Sequence, residues 1–143
     1  KRAAMDSIRA LQLIRAYRAR GHLLADLDPL GLKEVETHPE LDPSHHGFNS
    51  DDYNRPIFIN GVLGMETATL QQILDALRQT YCSTIGLEYL HMADPIEKAW
   101  LQERIEEPRN KTDFTTEGKR AIYQRLVAAE VFEQFLHKTL GWN

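Results

Sequence analysis

A single cysteine, Cys82, excludes an internal disulfide and suits a reducing compartment. No apolar run approaches the roughly 20 residues that a membrane-spanning helix needs. The opening Lys1-Arg2-Ala3-Ala4-Met5 leads into an amphipathic pattern and lacks the apolar core of a signal peptide, so no targeting segment is expected in this chain. A basic surplus is missing too: the net charge of −4 argues against a dedicated nucleic-acid binder. Neither phosphate-loop pattern occurs, because Gly64 of Gly61-Val62-Leu63-Gly64 is not followed by Lys and Ser or Thr. There is no internal repeat and no low-complexity tract. The initiator Met is absent as well, so the chain is expected to be a piece of something longer. What is left, 143 residues with 42% hydrophobic and 27% charged, suffices for one globular domain with a core of its own.

The charge that is present is unevenly spread. Residues 1–25 carry Lys1, Arg2, Arg9, Arg15, Arg18 and Arg20 against Asp6 alone. Residues 26–54 carry Asp26, Asp28, Glu34, Glu36, Glu40, Asp42, Asp51 and Asp52 against Lys33 alone. Opposite charge in adjoining segments predicts that the acidic stretch folds back near the basic one. A nucleic-acid patch on the basic face is the sharper alternative, opposed by the acidic total.

Periodicity predicts a mainly α fold: four to five amphipathic helices, a long irregular loop, and at most one or two short strands. Residues 1–143 are expected to form a single helical domain or subdomain, with a basic helix at 1–28, an acidic irregular loop at 29–65 and a helical part at 66–143. In the first helix, Ile8, Leu11, Ile14, Tyr17, Leu24 and Leu27 recur at helical spacing from Ala4 to about Asp26. Gly21 interrupts that run and is expected to permit close packing or a local bend, since inside a helix it costs about 1 kcal/mol relative to Ala. Pro29 ends the helix near Asp28, and Gly31 completes a turn. Breakers at His38-Pro39, Asp42-Pro43, His46-Gly47 and Arg55-Pro56 mark the loop, with Val35, Leu41, Phe48 and Tyr53 as its sparse anchors. Ile57-Phe58-Ile59 is a short strand candidate. A second helix is expected from about Thr67 to Cys82, and a short extended stretch over Leu87–His91. Asp94-Pro95-Ile96-Glu97 is a strong helix start, and that helix stops before Pro108, with Trp100 as a core anchor. Thr115 caps the last helical stretch, about 116–140, with a break near Ala128–Glu130 where the apolar stripe shifts phase.

Candidate chemistry concentrates in Arg18-Ala19-Arg20-Gly21-His22, followed by Asp26, Asp28, Pro29 and Gly31. An Arg-His-Asp group could pose as an acid–base site, but catalytic carboxylates need a second partner across a cleft, which the sequence does not supply. Asp26 and Asp28 are expected instead to bond backbone groups of the turn or to pair with Arg18, Arg20 or His22. His22, His38, His45, His46 and His91 form no His-Glu-x-x-His or paired Cys-x-x-Cys arrangement, so no metal ligand is assigned. Cys82 reads as a structural thiol, with Arg78 a full turn back. Trp142 reads as a tail or interface contact. No catalytic, cofactor-binding or metal residue is assigned, and the motif Arg18, Arg20, Gly21, His22, Asp26, Asp28, Pro29 and Gly31 is given a structural or interface role.

Three motif groups carry a resemblance. They are Leu13-Ile14-Arg15-Ala16-Tyr17-Arg18-x-Arg20-Gly21-His22 with Leu27-Asp28-Pro29-Leu30-Gly31; Thr80-Tyr81-Cys82 with Ile85-Gly86-x-Glu88-Tyr89 and His91; and Phe114-Thr115-x-Glu117-x-Lys119, leading into Leu126 and the Phe132–Leu136 helix. On these the chain resembles, along nearly its whole length, an N-terminal portion of the thiamine-dependent decarboxylating component of the 2-oxoglutarate dehydrogenase complex. It departs from the family pattern in the 32–60 loop and at Gly118, where Glu is usual. The resemblance implies a parent α/β enzyme that decarboxylates 2-oxoglutarate on thiamine diphosphate with magnesium. It also implies succinyl transfer to the lipoyl arm of a dihydrolipoyl succinyltransferase in the citric acid cycle, and a homodimer. The bacterial location would be cytoplasmic and the eukaryotic one the mitochondrial matrix. The family's substrate, diphosphate and metal motifs have no counterpart here, so the segment is expected to be non-catalytic. A stand-alone helical interaction module and the related 2-oxoadipate dehydrogenase component are the alternatives.

Overall fold

A computed structural model describes residues 1–34 and 36–141. The expected anchor Val35 and the expected tail contact Trp142 lie outside the described residues. The chain divides into two compact units, Lys1–Lys111 and Thr112–Asn143.

In the first unit, helix α1 spans Arg2–Arg20 and buries Asp6, Ala10, Leu13, Ile14 and Tyr17. The recurrence at three and four residues puts these five on one face. Ile14 and Tyr17 were expected there. Ile8 and Leu11, expected on the same stripe, instead stand about half exposed. The helix is also shorter than its periodicity suggests. It stops at Arg20 and tightens into one 3₁₀ turn over Gly21–Leu24, after which Ala25 is extended. Leu27, expected on the inner stripe, is exposed as a result.

The long connector is ordered by three 3₁₀ turns, Pro39–Leu41, Pro43–His46 and Ser50–Asp52. Its anchors Leu41 and Phe48 are buried, and Tyr53 is partly so. Strand β1 (Pro56–Phe58) pairs antiparallel with strand β2 (Thr67–Thr69), in the register Pro56↔Thr69, Ile57↔Ala68 and Phe58↔Thr67. Only the Ile57–Ala68 pair faces the core, as the two-residue alternation of a strand requires. The reversal between the strands passes through Asn60, Gly61, Leu63 and Gly64, all at positive φ.

Thr67 therefore begins a strand, not the second helix. Helix α2 runs Leu70–Tyr81 because Thr69 caps it: the Thr69 side chain accepts from the Gln72 amide, and the Gln72 side chain returns the bond to the Thr69 amide. Leu70, Ile73, Leu74, Leu77 and Tyr81 are buried against α1 and the hairpin. Each such side chain contributes about 1.5–3 kcal/mol on leaving water. Residues 87–91 form no strand but run as irregular chain into a turn, with Tyr89 buried. Helix α3 spans Pro95–Glu106, with Asp94 accepting from the Ile96 and Glu97 amides as expected. Only Ile105 is buried on it, and Trp100, expected as a core anchor, is 55% exposed.

The second unit holds helix α4, Thr116–Leu140, capped by the Thr115 hydroxyl on the Gly118 amide. It runs without the break expected near Ala128–Glu130, since good helix formers there leave nothing to interrupt the ladder. No residue of α4 is buried.

Candidate functional site

The motif at residues 18–31 sits where α1 ends beside α2, and its side chains point to different partners. Arg18, in the last turn of α1, reaches Glu106 at the end of α3 in a bidentate pair. Nε donates to Oε1 at 2.7 Å and Nη2 to Oε2 at 2.9 Å. The two side chains are 19% and 8% exposed, so the pair is largely removed from water. The Tyr81 hydroxyl donates to the same Glu106 Oε1 at 2.6 Å and lies 2.8 Å from the Tyr89 hydroxyl. Tyr89 in turn donates to Gln102 Oε1 at 3.3 Å. The two phenol rings stack with centroids 6.5 Å apart. Burial first, and then the bond to Glu106, pushes the Tyr81 hydroxyl far above the ordinary phenol range. Burial likewise raises Tyr89. For Arg18, burial acts to lower the pKa, but the Glu106 carboxylate outweighs it and the guanidinium stays firmly charged.

The rest of the motif lies in the chain reversal that follows α1. Gly21 lies so close to α2 that a Cβ there would meet the Tyr81 Cβ at 2.7 Å, a distance no side chain tolerates without movement. The close approach proposed for Gly21 from the sequence is therefore present, with an ordinary right-handed helical φ of −57°. The Gly21 carbonyl also accepts from Cys82 Sγ at 3.3 Å. Burial pushes that thiol up to about 11, so it carries little thiolate at neutral pH. His22 Nε2 lies 2.6 Å from Glu88 Oε1, while its buried Nδ1 has no partner among the described residues. Asp28 spends its carboxylate on the turn, accepting from the amides of Leu30, Leu32 and Lys33 at 3.0, 2.6 and 2.8 Å. These bonds, led by that of Lys33, hold its pKa below the usual carboxylate range. Gly31 completes the turn at φ 63°, its amide donating to the Asp28 carbonyl. Pro29 is exposed, and Asp26 contributes a backbone amide to the Ser83 carbonyl at 2.7 Å. Neither Asp26 nor Asp28 pairs with Arg18, Arg20 or His22 among the contacts of the described residues.

The attraction between basic helix and acidic loop is real and has two anchors. Arg20 Nη1 meets Glu40 Oε1 at 2.8 Å, an exposed contact of small worth. More buried is the cluster around Arg55, whose Nε donates to Asp6 Oδ2 at 3.0 Å and Nη1 to Asp52 Oδ1 at 2.6 Å. Arg2 approaches Asp52 Oδ1 at 3.5 Å. Asp6 is a basic-helix acid paired with a loop Arg, the reverse of the simple scheme. Sequence reasoning missed this cluster and the Tyr81–Glu106–Arg18 network. An acid at an inner-face position of α1, four residues before Ala10, was the only signal that pointed to the first.

Chemically these groups are occupied with one another. The phenols are protonated, the thiol is protonated, and the buried guanidinium and carboxylate neutralise each other. The hollow beside them, about 780 Å³, is bordered by Arg18, Gln102, Glu106 and the Asn60–Met65 turn. It holds no free nucleophile–base pair. What the first unit does present outward is apolar: Met5, Ile8 and Leu11 on α1, and a groove of about 460 Å³ on α3 formed by Met92, Ile96, Glu97, Trp100 and Leu101. The Arg104 guanidinium carbon lies 3.8 Å over the Trp100 ring centroid.

No family model matches the chain. Over 135 residues, 94% of its length, it is 58% identical to the 2-oxoglutarate dehydrogenase E1 component of Brucella anthropi. It is equally similar to those of Brucella canis and Brucella suis. The matched part is the N-terminal region of these proteins, and the chain spans only 13–14% of their length.

Proposed function

We propose that this chain is the N-terminal helical portion of a 2-oxoglutarate dehydrogenase E1 component, with a structural and not a catalytic part in that enzyme. The observation that carries the reading is identity of 58% spread over 94% of the chain, a match too extended to be one shared motif. The resemblance of the three motif groups agrees with it. A stand-alone interaction module is disfavoured, because the matched proteins are about seven times longer than the match.

In this reading the parent polypeptide decarboxylates 2-oxoglutarate on thiamine diphosphate with magnesium. It passes the succinyl group to the lipoyl arm of a dihydrolipoyl succinyltransferase, as a homodimer in the citric acid cycle. The relatives are bacterial, which favours the cytoplasm, and no helix of the described residues is long and apolar enough to cross a membrane. The described residues do not fit the cofactor. Among the described residues no three His, Cys, Asp or Glu stand together as a metal site. The amides of Gly61, Val62 and Gly64 in the glycine-containing turn already donate to carbonyls, leaving no cradle for a diphosphate. We assign the segment the task of holding α1, the acidic loop and α2 as a rigid body, with residues 18–31 as its internal lock. Its apolar faces on α1 and α3 are assigned to contacts with the remainder of the enzyme.

The test is turnover of 2-oxoglutarate with thiamine diphosphate and magnesium, by the full polypeptide and by the 143-residue chain. Decarboxylation by the full polypeptide alone is expected. Turnover by the short chain, or none by the full polypeptide, would overturn the reading.

A further inference from the structure

Helix α1 has a second apolar face, turned away from the core. At about 100° per residue, Met5, Ile8 and Leu11 fall within an arc of roughly 120° centred on Ile8 and opposite Tyr17. They are 46%, 50% and 43% exposed. Lys1 and Arg15 fall in the same arc, at its two ends along the axis, seven residues to either side of Ile8. Its other members, Ala4, Gln12 and Ala19, are uncharged, so no acid lies on this face. The acid of α1, Asp6, is buried and held by Arg55. The remaining cations of the helix are engaged: Arg2 with Asp52, Arg9 with the Gly47 carbonyl, Arg18 with Glu106 and Arg20 with Glu40. Lys1 and Arg15 alone have no side-chain partner among the described residues.

We propose that this face is covered by an acidic amphipathic helix from the remainder of the polypeptide. Its apolar side chains lie against Met5, Ile8 and Leu11, and its carboxylates against Lys1 and Arg15. This rests on the E1 reading above, which assigns the outer face of α1 to the rest of the enzyme. Charges beside an apolar helical seam select the partner by sign. A second copy of α1 is selected against in both directions. Parallel contact sets Lys1 on Lys1 and Arg15 on Arg15, and antiparallel contact centred on Ile8 sets Lys1 on Arg15. A membrane-surface helix turns a polar, cation-rich face to water, whereas the opposite face of α1 is buried in its own core. Nucleic acid would set its phosphates on apolar side chains in the middle of the stripe, where binding needs cations.

Zero-length carbodiimide cross-linking of the full-length polypeptide tests this, with Arg15→Lys supplying an amine and Arg15→Gln as the control. A bond from residue 15 to an Asp or Glu of one helical segment outside residues 1–143 is expected, found by mass spectrometry and absent from the control. No bond, or a bond only to a second copy in mixed isotope-labelled protein, would overturn the proposal. Maleimide labelling of full-length Ile8→Cys gives a second reading. It should be severalfold slower than in urea, should quicken when Arg15→Glu is added, and should slow again when the cross-linked acid is changed to Lys. Labelling as fast as in urea would sink the covered face. Sedimentation of the full-length protein with phosphatidylserine vesicles, lost in Arg15→Glu, would assign the face to a membrane and overturn the helix. The E1 reading fails separately, by absence of 2-oxoglutarate turnover in the unsubstituted protein while the cross-link persists.

Discussion

Helices α2 and α4 start alike and end up in different surroundings. Each is capped by a Thr hydroxyl accepting from the amide three residues on, and each is rich in Leu, Ile or aromatic residues. Yet seven of the twelve residues of α2 are buried, and none of the twenty-five of α4. Capping and propensity therefore do not decide burial. The difference lies in how the apolar side chains are distributed around the axis. Those of α2 form one arc buried against α1 and the hairpin, whereas those of α4, among them Tyr123, Val127, Val131 and Phe135, wind around the helix and stay exposed. The first unit is thus stabilised from within, whereas no residue of α4 is buried.

The contrast can be broken most forcefully at Glu106. Replacing it with Gln removes the charge that balances a mostly buried Arg18, and breaking such a pair costs about 3–5 kcal/mol. Urea unfolding should show the loss, and an unchanged midpoint would mean that the first unit does not depend on this network. Next is a matched pair in the two helices. Leu77→Ala in α2 should cost about 2–5 kcal/mol through the cavity it leaves. Leu126→Ala in α4 of the 143-residue chain should stay within about 0.5 kcal/mol. Equal losses would erase the distinction between the units.

A smaller effect is expected at Gly21→Ala, where the added methyl meets Tyr81 and overpacking costs about 1–3 kcal/mol. The melting temperature of the first unit should fall; if it holds, α1 and α2 are free to slide apart. The smallest is the acid limb. The Asn49 amide, then Arg55, hold the Asp52 carboxyl below the usual range. A depressed folded pKa gives stability that is complete above the unfolded value of about 4 and lost as pH falls through the folded one. Asp52→Asn should flatten that acid limb of the unfolding midpoint, and a slope equal to the parent's would assign acid sensitivity elsewhere.

Local signals were the legible part of this chain. Asp94 with Pro95 and Thr115 set the starts of α3 and α4 where the sequence placed them, because a cap acts within one turn. Thr69 does the same for α2, but Thr67 and Ala68 were drawn into the helix: nothing local shows that Ile57 and Phe58 will pair with them. The inner face of α1 was half read, since Ile8 and Leu11 are as apolar as Leu13 and only the position of α2 chooses between them. The partners of the motif were least legible. Arg18 finds Glu106, not an acid of the nearby loop, and Asp28 turns to amides two to five residues along the chain. Charge segregation foretells attraction between segments and leaves the pairing to tertiary geometry.

The Arg18–Glu106 pair spans 88 residues, and this has a consequence for biosynthesis. A polypeptide leaves the ribosome from its N-terminus, so α1 emerges with Arg18 unpaired and its Leu13–Tyr17 face uncovered. The Tyr81 contact with Gly21 forms next, but the guanidinium is neutralised only when the end of α3 is out. Closure of the network around Arg18 therefore waits for nearly the whole length of the first unit. Stalled nascent chains should turn from protease-sensitive to protease-resistant as Glu106 clears the exit tunnel, and resistance gained already at the end of α2 would show that closure precedes the pair.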